Sequence, residues 1–100
     1  MRFLVTAEAS KEGGDRLDSQ PGGPGPFFGA VAERFRPEAF WVRADRRAVY
    51  WVLDLADATQ VAELMHLCLA KAGAYPTLTP ILTGDEARTA VPAAIEKARR

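Results

Sequence analysis

Residues 39 to 55 read AFWVRADRRAVYWVLDL, and the folding of this stretch decides the architecture. Two arms, AFWVRA and AVYWVLDL, flank a polar Asp45-Arg46-Arg47. Both arms are rich in β-branched and aromatic residues, which pack well on a pleated surface. The stretch therefore predicts a β-hairpin. A two-residue turn would set Val42 opposite Trp51 and Arg43 opposite Tyr50. Arg-Arg lacks the positive-φ preference of such a turn, so that register stays open. The alternation within each arm does not depend on it.

Upstream, Pro37 stops a short helix predicted over residues 27–36, FFGAVAERFR. Phe27, Phe28, Val31 and Phe35 share one side of it, and Pro26 suits its first position. Residues 1–9, MRFLVTAEA, predict a strand. Phe3, Val5 and Ala7 line one face of it, and Leu4, Thr6 and Glu8 the other. Between strand and helix, residues 10–26 read as a polar, Gly/Pro-rich connection. A phosphate cradle is excluded there, since no Gly-Lys-Ser/Thr follows and the prolines remove amide donors. Two readings stay open: a mobile connection anchored by Phe27 and Phe28, or a lid over one face of the sheet.

Downstream, Asp57 reads as a helix N-cap with Gln60 three residues on, an Asp version of the capping box. The helix is expected to run to about Ala72. Val61, Leu64, Met65, Cys68, Leu69 and Ala72 form its apolar stripe, and Gly73 ends it. Residues 77–83, TLTPILT, predict a last strand, with Pro80 placing it at a sheet edge or a bulge. Gly84 punctuates, and residues 90–100 predict a C-terminal helix.

The element order is β-α-β-β-α-β plus a tail helix. It predicts an α+β class chain with one ferredoxin-like domain over residues 1–100. A four-stranded antiparallel sheet is expected, with both crossover helices on one face. Phe3, Val5, Phe40, Val42, Ala44, Val49, Trp51, Leu53 and Leu55 form an apolar set that should meet the helices. The other face is mixed: Leu4, Thr6, Glu8, Trp41, Arg43, Tyr50, Val52 and Asp54. Two helices cannot cover both faces, and apolar surface of this extent left in water is unusual. Burying a few hundred Å² of it at about 25 cal/mol per Å² releases several kcal/mol. A second copy of the chain, in a two-fold dimer, is the simplest cover. The alternative is the tail helix folded over the face.

Composition narrows the function classes. The chain has 100 residues, 48% hydrophobic and 26% charged, with zero formal net charge. That balance carries no electrostatic footprint for nucleic acid or an anionic membrane surface. The basic cluster Lys97, Arg99 and Arg100 suits a helix C-terminus. A single cysteine excludes an intrachain disulfide, and one histidine with one cysteine does not make a usual zinc site. No cofactor and no metal are expected. The N-terminal apolar stretch is short for a signal peptide and no run approaches a membrane span. A cytoplasmic location is the expectation.

Several motifs carry a resemblance. PEAFWVRADRRAVYWVLDL, then ADATQVAEL, then LTPILTGDEA resemble a family of small uncharacterised bacterial proteins within the dimeric α+β barrel superfamily. The matching positions are Pro37 to Ala39, Asp57 to Val61, and Leu78 to Glu86. The second half is similar, more distantly, to the muconolactone isomerase family. The resemblance spans nearly the whole chain except the Gly/Pro-rich segment. It implies the dimeric barrel fold, but no catalytic residue, since the shared motifs open a hairpin, cap a helix and end a strand. The superfamily includes isomerases, cofactor-free monooxygenases, haem-linked enzymes and proteins without known activity.

The mixed face offers one polar constellation: Thr6, Glu8, Trp41, Arg43, Tyr50 and Asp54. Around a small apolar cavity, Glu8 would transfer protons if burial raised its pKa. Arg43 would hold a substrate carboxylate and Tyr50 would donate to a developing oxyanion. Thr6, Trp41 and Asp54 would line the ligand. A plain salt-bridge network or a solvated sheet face explains the same residues. His66 falls off the apolar stripe and reads as solvent-facing. Cys68 falls within it and reads as a small buried hydrophobe. The residues leave open whether the chain is a catalyst. The first expectation is a homodimer binding a small hydrophobic ligand in the barrel. The alternative is a cofactor-independent isomerase or monooxygenase acting on a small aromatic or lactone-like substrate.

Overall fold

The computed structural model describes all 100 residues. The hairpin forms as β2 (Ala39–Val42) and β3 (Ala48–Asp54). Its register differs from a two-residue turn: Trp41 faces Tyr50 and Val42 faces Val49. None of residues 43–47 takes a positive φ, so the tight turn gives way to a longer loop. Arg43 N–H donates to the Ala48 carbonyl at 2.9 Å, and the Arg43 guanidinium grips Asp45 through two hydrogen bonds of 2.9 and 2.7 Å. The shift is an even number of residues, so every side chain keeps the face that alternation assigns it.

β1 (Arg2–Glu8) pairs antiparallel with β3, placing Val5 opposite Trp51 and Thr6 opposite Tyr50. β4 (Thr77–Pro80) pairs with the other side of β1. It ends sooner than the expected residue 83 because its partner runs out: Phe3 already faces Pro80, and the last bond of the pair runs from Ile81 N–H to the Arg2 carbonyl at 3.1 Å. The strand order is β2-β3-β1-β4, all antiparallel, in an α+β arrangement compatible with a ferredoxin-like fold.

The largest departure from expectation lies in residues 10–26. Instead of a structureless connection, residues 11–19 form a helix, α1 (Lys11–Ser19), and only a short turn separates it from the next helix. Ser10 caps α1 by accepting from Gly13 N–H at 2.9 Å. Glu12 in the first turn and Arg16 in the last suit the helix dipole. Leu17, its one large apolar residue, is buried in the core with Val5, Ala7 and Val49. The segment therefore covers the helix-bearing face, and no lid forms over the mixed face.

α2 (Gly25–Phe35) buries Phe27, Val31 and Phe35, with Pro26 in its first turn. Arg36 ends it in the left-handed region at φ 49°. α3 (Ala58–Ala72) buries Leu64, Cys68 and Ala72, while Leu69 is exposed. Asp57 Oδ1 accepts from Gln60 N–H at 2.9 Å, and Gln60 Oε1 reaches back to Ala56 N–H at 2.7 Å. Asp57→Ala should cost about 1 kcal/mol of stability, read as a lower urea midpoint at unchanged slope. Gly73 closes α3 at φ 76°.

Three helices thus share one face of the sheet. Their apolar sides meet Val5, Val49, Trp51, Leu53 and Leu55 in one core. Trp51 is its centre, edge-on to Phe27 at 5.9 Å and stacked on Phe40 at 5.8 Å. Phe40 and Val42 point to the helix side yet remain exposed, because β2 is the edge strand and the helices do not reach over it.

α4 (Gly84–Ala98) begins six residues before the expected residue 90. Thr83 and Glu86 form a full capping box, so the helix starts directly behind the threonine. No residue of α4 is buried, and Val91 and Ile95 are 46% and 48% exposed. The radius of gyration is 16.1 Å, against about 13 Å for a compact chain of this length. α4 therefore does not fold over the mixed face.

Candidate functional site

The sheet register decides which of the sequence-predicted residues meet on the mixed face. One row crosses all four strands: Trp41, Tyr50, Thr6 and Thr77. The next row places Arg43, by its backbone bond, beside Ala48, which in turn faces Glu8. Arg43 and Glu8 thus flank the small Ala48 at two strand spacings, about 10 Å. Thr6, Glu8, Trp41, Arg43 and Tyr50 form one cluster at the hairpin-loop end of the sheet. Asp54 does not join it. It lies four residues beyond Tyr50 on β3, about 13 Å away, opposite Arg2 and 3.0 Å from the N-terminal amine.

The charged members of the cluster already have partners. Glu8 is 55% exposed, and its Oε1 lies 3.2 Å from Arg46 Nη1. Arg43 is committed to Asp45. The hydrogen bond from Arg43, with its charge, holds the Asp45 carboxyl below the usual carboxylate range. Trp41 is 58% exposed, while Leu4, Thr6, Tyr50 and Val52 are half-buried. In the single chain this face is an open platform with an apolar strip, Leu4, Trp41 and Val52, beside a polar end. It can receive a flat partner, and it encloses no water-free space.

The remaining reactive groups stand apart. His66 is exposed, with its ring 6.2 Å from Tyr75. The Cys68 thiol is fully buried, and burial pushes its pKa up to about 11. It is thus protonated at neutral pH and a poor nucleophile. No group of three or more His, Cys, Asp and Glu residues is placed to hold a metal ion. No helix is long and apolar enough to cross a membrane.

A hollow does exist, on the opposite side of the sheet. It is a cavity of about 220 Å³ between α1, α2 and the hairpin, walled mainly by apolar side chains, with Asp18, Arg46 and Arg47 among its lining. Reading residues 10–26 as a connection hides this cavity, because Gly14 and Leu17 of α1 help to wall it. The available signal was Ser10 followed by an acidic and then a basic residue at helical spacing, outweighed by Gly13 and Gly14.

No family model, no curated protein and no solved structure matches the chain. The class that can be stated is a small α+β chain with a four-stranded antiparallel sheet.

Proposed function

We propose that this chain acts as a homodimeric α+β barrel protein that binds a small hydrophobic ligand. Two copies pack through the mixed sheet faces. The carrying observation is the row Trp41, Tyr50, Thr6 and Thr77 beside Leu4 and Val52, a continuous face that no helix of the chain covers. The unburied apolar side of α4, Val91 and Ile95, supports the same reading, because a second copy gives it something to pack against. The binding reading is favoured over isomerase or monooxygenase chemistry by the surroundings of Glu8. Glu8 is paired with Arg46 and Arg43 with Asp45, so neither charged group is free to hold or activate a substrate.

Light scattering at micromolar concentration tests the assembly. The expected mass is twice the 10.9 kDa of one chain, and Val52→Glu should return it to that of one chain. A wild-type protein with the mass of a single chain overturns the dimer. A thermal-shift screen of small aromatic acids and lactones tests binding. A ligand at 100 times its dissociation constant adds about 2.7 kcal/mol, and turnover of any of them would favour the enzymatic alternative.

A further inference from the structure

We infer that the cavity on the helix-bearing face is a binding site for a small monocarboxylic acid with a compact apolar body. Its walls include Ala7 of β1, Leu17 of α1, Phe27 and Phe28 of α2, and Val42 and Val49 of the hairpin. No side chain in that set offers a hydrogen bond. At the packing density of protein interiors, about 220 Å³ holds a body of about 160 Å³, an eight-carbon chain or a single substituted ring.

The charge at the opening selects the head group. Arg46 and Arg47 come from the same hairpin loop and both line the cavity, but their commitments differ. Arg47 spans to α1, where it lies 2.9 Å from Asp15 and 2.8 Å from Asp18. It lies tightly over Gly14, whose missing side chain leaves room for it. Arg47 is a strap with both carboxylates engaged. Arg46 makes one side-chain hydrogen bond, 3.2 Å from Nη1 to Glu8, and both partners are about half exposed. A guanidinium carries five donors in a planar fork, so most of this one is free. A surface pair of that kind contributes little. Arg46 can therefore turn to a ligand carboxylate at the mouth and bind it through two parallel bonds, while the apolar body fills the space under α1.

The cavity is on the opposite face of the sheet from the dimer surface, and Arg46 links the two sides through its bond to Glu8, so the test reads on which side the ligand falls. Titration of the protein with octanoate, followed by amide NMR and calorimetry, tests it, with 1-octanol as the neutral probe. Shifts are expected at Leu17, Phe27, Val42 and Val49. Shifts confined to Thr6, Trp41 and Tyr50 would place binding in the barrel and overturn the site. Arg46→Gln should weaken octanoate at least about tenfold, the value of a charge-assisted bond, and leave octanol within a factor of about two. Equal effects on both probes, or none, overturn the carboxylate assignment. Ala7→Leu, which fills the cavity, should abolish binding of both. Val42→Trp, at the exposed sheet edge, obstructs the mouth without entering the core and should do the same if Ala7→Leu does not fold. No binding of either probe at millimolar concentration overturns the proposal.

Discussion

Trp51→Ala is expected to lower the unfolding free energy by about 4 kcal/mol, as large-to-small changes of a buried indole do. Trp51 is 1% exposed and joins three elements. Its ring is edge-on to Phe27 and Phe28 of α2, at 5.9 and 6.4 Å, and stacked on Phe40 of β2 at 5.8 Å. Each such aromatic contact adds about 1 kcal/mol beyond the area it covers. A loss of that size is about a quarter or more of the roughly 5–15 kcal/mol a domain has to lose. Because Phe40 is half exposed at the sheet edge, removing its stacking partner should also loosen β2. Urea unfolding at fixed protein concentration, followed by far-ultraviolet circular dichroism, measures the loss. A change below about 1.5 kcal/mol would mean that the aromatic cluster is not the organising core. The milder Trp51→Phe leaves Trp41 as the sole indole of the two in the chain. Its emission then reports the mixed face alone: blue-shifted if a second copy covers it, water-like if the chain is monomeric.

The parts of the fold that were legible share a property: their signal is local and redundant. The hairpin arms alternate regardless of turn geometry, so the faces of Val42, Tyr50 and Trp51 follow from the sequence, while the register, which Arg-Arg leaves open, does not. Asp57, Gln60 and Gly73 are capping signals whose chemistry is complete within a few residues. Pro80 marked an edge strand for the simple reason that it cannot donate. The segment 10–26 failed because its order is not local. One buried leucine and two glycines do not make a helix by propensity, and α1 is held by the end of α3, which lies far along the chain. The same reason hid the cavity. On the mixed face, side-chain alternation grouped the candidates correctly, but grouping by face says nothing about distance along a strand. Asp54 shares a face with Tyr50 and stands at the other end of it. Alternation also could not show that Glu8 and Arg43 would find partners in the loop between the arms, Arg46 and Asp45.

Gly13→Ala is the second large effect, and it isolates what orders that segment. Two opposing terms act. Alanine is preferred over glycine inside a helix by about 1 kcal/mol, so a free α1 would gain. Against this, a Cβ at residue 13 would collide with the backbone carbonyl of Ala72, and it would come within 2.8 Å of Gly73 N. These are backbone atoms at the closed end of α3, tied to Ser10 by the 3.0 Å bond from Ser10 N–H to Ala72 O. They cannot turn aside as a side chain can. Overpacking of that kind costs about 3 kcal/mol at the upper end of its usual range, so the net loss should be about 2 kcal/mol. Gly14→Ala is the internal control. The atoms nearest its Cβ belong to the Arg47 side chain, with Nη1 at 2.6 Å and Cδ at 2.7 Å, and that side chain can shift at the expense of its half-exposed pairs with Asp15 and Asp18. The helix preference then offsets the displacement, and stability should stay within about 1 kcal/mol of the wild type. Chemical denaturation separates the two, and limited proteolysis should cut Gly13→Ala within residues 11–24 while sparing Gly14→Ala there. If both variants behave alike, the close approach of α1 to α3 is not what makes a helix of this glycine-rich segment. If only Gly13→Ala fails, a contact between positions 13 and 72 turns an apparent connection into the wall of a cavity.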